Sequence, residues 1–220
     1  MTEAWTETRA GRHSPLQNRV TPFGDLTATP GRGLFMGNRG GRFHTDARTL
    51  TGRRWASRQW ICCVLDFKGR HRDVWGRFYT ELFFFDEPTA LAAGHRPCFE
   101  CRRRDALAFA EAWRDASGQR ERPRADEMDE ILHRERLQGR AKRLHRRNIE
   151  DLPDGAFVSL EEGACAVRGD VLLRWTPEGY QARERRPRGG AFDVLTPPAI
   201  LAALSAGYRP HWHPSADRAV

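Results

Sequence analysis

Apolar and polar positions alternate through RQWICCVLDF (58–67), where Ile61, Cys63, Leu65 and Phe67 fall on one face at the two-residue period of a half-buried strand. Lys68-Gly69 reads as a hairpin turn, a second strand is expected from near His71, and Tyr79 to Phe85 supply a third, largely apolar one. The period then changes. Asp86 is a good helix N-cap, Pro88 suits a first turn and Gly94 a C-terminal stop. Beyond the segment HRPCFEC, Ala106, Leu107, Ala110 and Trp113 recur at helical spacing within 102–116, and residues 126–137 predict a third helix. From residue 151 short strands return in GAFVSL, ACAVRG, DVLLRW and GAFDVL, before Thr196 caps a helix that starts at Pro197-Pro198 and ends near Gly207. The expected fold class is α+β. Its parts are a Gly/Arg-rich arm over 1–50, a strand-and-helix domain over 51–117, a linker with a basic helix over 118–150, and a small β-rich module with one helix over 151–220.

The arm contains TPGRGLFMGNRGGRFH (29–44), with five glycines. It fits neither a dinucleotide-binding turn nor a P-loop, so no nucleotide motif follows from it. The expectation is an irregular arm on the body, with Arg39 and Arg42 able to touch an anion.

Composition adds a partner class. The 220 residues are 39% hydrophobic and 30% charged, which predicts a modest core. No run approaches the ~18 apolar residues of a membrane span, so no membrane association is expected. The N-terminus lacks an apolar signal core, which makes the cytoplasm the expected compartment. The formal charge of +8 fits a polyanionic partner. Only Lys68 and Lys142 among the 37 basic residues are lysines, which is also what an arginine-rich codon bias would produce. Clustering therefore matters more than the total. Arg136, Arg140, Arg143 and Arg147 would form one stripe if the third helix continued past Gly139, and with Arg96, Arg102 and Arg103 they are the expected nucleic-acid contacts.

A reducing compartment turns the cysteines towards metal chemistry. Cys98-Phe99-Glu100-Cys101 is the common two-ligand half of a zinc site. Cys62 and Cys63 point to opposite faces of a strand, so at most one can join it, and Cys63 is favoured. Cys165 reads as a small buried residue. A redox pair would need a strand feeding the motif, and a helix precedes it instead. A deaminase would need H-x-E upstream, where His71-Arg72-Asp73 offers a shorter carboxylate.

The segment EPTALAAGHRPCFECRRRD (87–105) resembles the closing part of the N-terminal zinc domain of the Ada methyltransferase family, and the likeness extends more thinly over about 55–117. It implies an α/β zinc domain that binds DNA backbone, so DNA is expected rather than RNA. Cys98 and Cys101 match that family's second ligand pair, and Arg96 its adjacent arginine. The first pair, whose leading cysteine accepts a methyl group, has no counterpart. Ungapped counting places His71 and Phe67 there, so the methyl-transfer activity does not carry over. His71 becomes a candidate fourth ligand, His44 competes with it, and Cys63 reaches the metal from its strand.

Three functions compete: a zinc-stapled nucleic-acid binder, a zinc-dependent enzyme on nucleic acid or a nucleobase with Glu81, Asp73 or Glu100 as base, and an interaction protein whose zinc is purely structural. His211 and His213 of HWH could form a separate site, but read as incidental.

Overall fold

The computed structural model describes residues 15–70 and 73–219. Its first sheet is mixed and built mainly from the chain's N-terminal half. β1 (Arg19–Val20) and β2 (Leu26–Thr27) form one edge, and β3 (Phe35–Arg39), β4 (Trp60–Val64) and β5 (Leu82–Phe84) lie inside. After α1 (Glu87–Ala92), β6 (Arg96–Pro97) completes the order β2-β1-β5-β3-β4-β6. β1–β5 and β4–β6 are parallel pairs, the others antiparallel.

Two expectations need correction here. Residues 35–39, read as irregular arm, are the buried spine of this sheet, running antiparallel to β4 from Phe35–Val64 to Arg39–Trp60. Glycine disguised the strand. At Gly37 a Cβ would meet the Ile61 carbonyl oxygen at 2.0 Å and the Phe84 ring at 2.8 Å, so the neighbours close in where no side chain stands. The hairpin expected after Phe67 does not form among the described residues. β4 ends at Val64, its partners are β3 and β6, and the described residues between β4 and β5 form turns and loop; the expected start near His71 lies outside the described residues.

α1 forms as expected, with the Asp86 side chain accepting from Thr89 N, and all six of its residues are buried. α2 (Arg103–Ser117) and α3 (Ala125–Arg136) follow. The basic stripe does not survive. α3 stops at Arg136, Leu137 is extended at φ −130° and ψ 145°, and β7 (Leu137–Gln138) folds back on β8 (Ala141–Lys142). β9 (His145–Asn148) then becomes an edge strand of the second sheet.

That sheet is wholly antiparallel: β10 (Phe157–Leu160), β11 (Gly163–Arg168), β12 (Val171–Thr176), β13 (Gly179–Arg185) and β14 (Ala191–Val194), in the order β13-β12-β11-β10-β14-β9. Here the alternation had marked the strands well, apart from β9 and β13. α4 (Pro198–Ser205) is in place, but its N-cap is Pro197; the buried Thr196 hydroxyl accepts from Phe157 N instead. α5 (Ser215–Arg218) ends the described chain.

The halves share cores, so residue 150 is no boundary of packing. Phe109 and Trp113 of α2, Met128 and Leu132 of α3, and Ile200, Leu204 and Tyr208 near α4 form one buried cluster. Phe85 and Ala92 lie in another with Phe157, Leu173 and Tyr180 of the second sheet. Two buried acids stitch this contact: Asp86 accepts from Tyr180 Oη (2.9 Å) and His213 N (3.3 Å), Glu87 from Tyr208 Oη (2.6 Å) and His211 N (2.9 Å). The HWH segment thus serves through its backbone amides.

Candidate functional site

The sequence brings three sulfurs together through strand register. β6 runs parallel to β4 with Cys62 opposite Pro97, and Cys98 N donates to the Cys62 carbonyl at 3.0 Å. One residue further along each chain, Cys63 and Cys98 are neighbours on the same face. The turn after Cys98, closed by Arg102 N to the Cys98 carbonyl at 3.0 Å, returns Cys101 to the same spot. The Sγ atoms of Cys63, Cys98 and Cys101 all lie within 4.8 Å of one another, close enough to hold a metal ion. Cys63 and Cys98 are buried and Cys101 is half-buried, with Met36, Ile61 and Phe83 packed around them.

The donor set suits a cation. Glu100 N points at Cys98 Sγ at 3.4 Å. Thiols of Cys101 and Cys63 donating to Cys98 hold it far below the ordinary thiol range, and Cys63 is pushed up by its hydrogen bonds to Cys101 and Cys98. Three soft sulfur donors converging in this way can hold a metal ion.

Cys62 lies on the opposite face, with Arg102 Nη1 at 3.4 Å from its Sγ, and burial pushes its thiol up. Cys165 is buried between strands of the second sheet. His44 is not a member of the cluster. Its Nδ1 meets Thr80 Oγ1 at 2.7 Å, its Nε2 meets the Gly76 carbonyl at 3.1 Å, and its ring stacks on Trp75 at 5.1 Å, leaving neither nitrogen for a metal. His71 lies outside the described residues.

The arginines divide into three groups. Arg96 and Arg102 are buried and paired, so they present no free phosphate contact. Arg96 makes a two-pronged bond to Asp129 (2.9 and 2.7 Å), and Arg102 meets Glu87 and Asp105 at 2.8 Å each. Arg103, Arg140, Arg143 and Arg147 are exposed, though not on one helix.

Arg136 forms the third group with Arg39 and Lys142, a cluster that spacing could not reveal. Arg136 is fully buried, donates to the Gly94 (2.9 Å) and Arg58 (2.7 Å) carbonyls, meets His133 Nδ1 at 3.1 Å, and leaves Nε without a partner among the described residues. Gly94, at φ +88°, makes room, because a Cβ there would meet Arg136 Cδ at 2.7 Å. Arg39 donates to the Gly24 carbonyl (2.7 Å) and to His95 Nε2 (3.3 Å). The Trp60 ring lies within 3.9 Å of the Arg39 guanidinium and 4.0 Å of that of Arg136. Burial pulls Arg39 down to about 9, Arg136 to about 8 and Lys142 to about 7.

No family model, curated protein or solved structure matches this chain.

Proposed function

We propose that this chain is a zinc-stapled protein that contacts nucleic-acid phosphates, with DNA as the expected form. The observation that carries the metal is the trio of converging sulfurs. Zinc favours four tetrahedral donors, and His71 is the proposed fourth. Its chain neighbour Arg70 pairs with Glu100, between the two knuckle cysteines, at 2.7 Å. The likeness of residues 87–105 to the Ada zinc domain supports the same metal and partner. The ion would clamp β4 to the turn before α2, on the sheet face where Met36, Ile61 and Phe83 pack around the sulfurs.

Exposed Arg103, Arg140, Arg143 and Arg147 are the proposed backbone contacts. Such contacts give affinity without sequence choice. The enzyme reading is weaker, because its candidate bases are engaged elsewhere. Glu81 accepts from Trp75 N at 2.7 Å, Asp73 pairs with Arg48 at 3.2 Å and Glu100 pairs with Arg70.

Titrating random duplex DNA and RNA from about 50 to 200 mM salt tests the partner. Neutralising four phosphates gives a log–log slope of about −3.6 on duplex DNA. Affinity without a salt slope, or none at low salt, would refute it.

A further inference from the structure

Arg39, Arg54, Arg136, Arg140 and Lys142 line one cavity of about 230 Å³, together with Trp55 and Trp60. Among the described residues, none of these five cations has a carboxylate within ion-pair distance, and the one acid on the wall is the exposed Asp25. Their protein partners are backbone carbonyls and two histidines, His95 on Arg39 and His133 on Arg136. Arg54 Nη1 donates to the Thr51 carbonyl at 2.9 Å, Arg140 to that of Gly52, and Lys142 to that of Ala92. Elsewhere the same fold does supply counter-charges: Arg96 and Arg102 have carboxylates at 2.7–2.8 Å. Concentrating positive charge in a partly dry space is unfavourable unless something neutralises it. Arg136 adds a specific demand, a buried guanidinium whose Nε has no acceptor among the described residues.

The geometry points to a binding site for a phosphoryl group in this cavity, held by Arg136, Arg39 and Lys142 and gated by Arg54 and Arg140. A guanidinium fork and an ammonium match the tetrahedral oxygens of phosphate. The cavity is below the ~300 Å³ of the smaller ligand pockets, so it takes the phosphate end of a molecule and not a whole nucleotide. The rest has somewhere to go. A shallower depression of about 320 Å³ adjoins it, sharing Arg54, Trp55 and Arg140. Half-buried Trp55, tilted 49° to Trp60 with ring centres 6.0 Å apart, offers a stacking surface for a base there. The phosphoryl site stands without the metal. Only its source, the 5′ end of a strand or a mononucleotide, leans on the nucleic-acid reading.

Calorimetric titration of the full chain with pyrophosphate, a 5′-phosphorylated single-stranded oligonucleotide and its 5′-hydroxyl counterpart tests the assignment. Pyrophosphate should bind and displace the 5′-phosphorylated strand. Lys142→Gln and Arg140→Ala should each weaken both by about tenfold, the loss expected of one charge-assisted hydrogen bond. Both variants should fold, because neither removes a carboxylate-paired cation, and thermal melting checks this. If pyrophosphate binds and neither strand does, the phosphoryl site holds and the nucleic-acid reading falls. If both strands bind equally and pyrophosphate displaces neither, or if folded Lys142→Gln and Arg140→Ala bind as the wild type does, the cavity assignment is overturned.

Discussion

Two groups of buried arginine lie within the same few elements and are solved differently. Arg96 and Arg102, flanking the knuckle, each lean on carboxylates: Asp129 for one, Glu87 and Asp105 for the other. Arg39 and Arg136, both against the Trp60 ring, lean on carbonyls and histidines and have Lys142 nearby to add to the charge. The contrast separates architecture from work. A cation whose counter-charge is built into the fold holds elements together. One whose counter-charge is missing keeps a place for something that brings it.

The largest expected effect is on the compensated side. Asp129→Ala strands the buried Arg96 guanidinium and should cost about 3–5 kcal/mol in urea unfolding. A loss under about 1 kcal/mol would show that this pair is not structural. Next comes the metal. Cys98→Ser should abolish stoichiometric zinc, and chelation of the wild type should lower its melting temperature steeply, since metal binding at such a site is folding free energy. Retained stability in a zinc-free wild type would count against the clamp.

On the uncompensated side the signs reverse. Lys142→Gln should raise the stability of the ligand-free protein by about 1 kcal/mol, as it removes an unpaired cation from among Arg136 and Arg39. Its pH signature follows. Burial beside Arg136 and Arg39, opposed only by Asp25, draws Lys142 down to about 7, so at higher pH the folded chain has released a proton that the unfolded chain keeps. Stability should therefore climb from about pH 7 towards the ordinary lysine value of about 10.4, less so in Lys142→Gln. Pyrophosphate affinity should fall over the start of the same interval.

Much of this was legible in the residues, and what was hidden had physical causes. The 98–101 knuckle and the preference for Cys63 over Cys62 followed from ligand spacing and strand alternation, and the three sulfurs do come together. α1, α2 and most strands of the second sheet followed from caps and periods. β3 was masked because its central residue is a glycine, and β6 because two residues carry no period. The arginine stripe misled because equal spacing suggests a helix until a hairpin turns it. Arg136 looked like a surface cation and is fully buried. Arg39 was singled out as able to touch an anion while its segment was read as loop; it lies on the cavity wall through a strand. The cavity draws on residues from 23 to 142, so no local pattern could announce it.

The central claim is that the charge around Trp60 is left unneutralised for a ligand. Proton exchange on pyrophosphate binding, measured by calorimetry near pH 7.5 in buffers of different ionisation enthalpy, reads that charge most directly. The account predicts that the wild type takes up a sizeable fraction of a proton more than Lys142→Gln does, as the lysine recharges against the anion. No heat of pyrophosphate binding to the wild type in these titrations, or an undiminished affinity in folded Lys142→Gln, would contradict it.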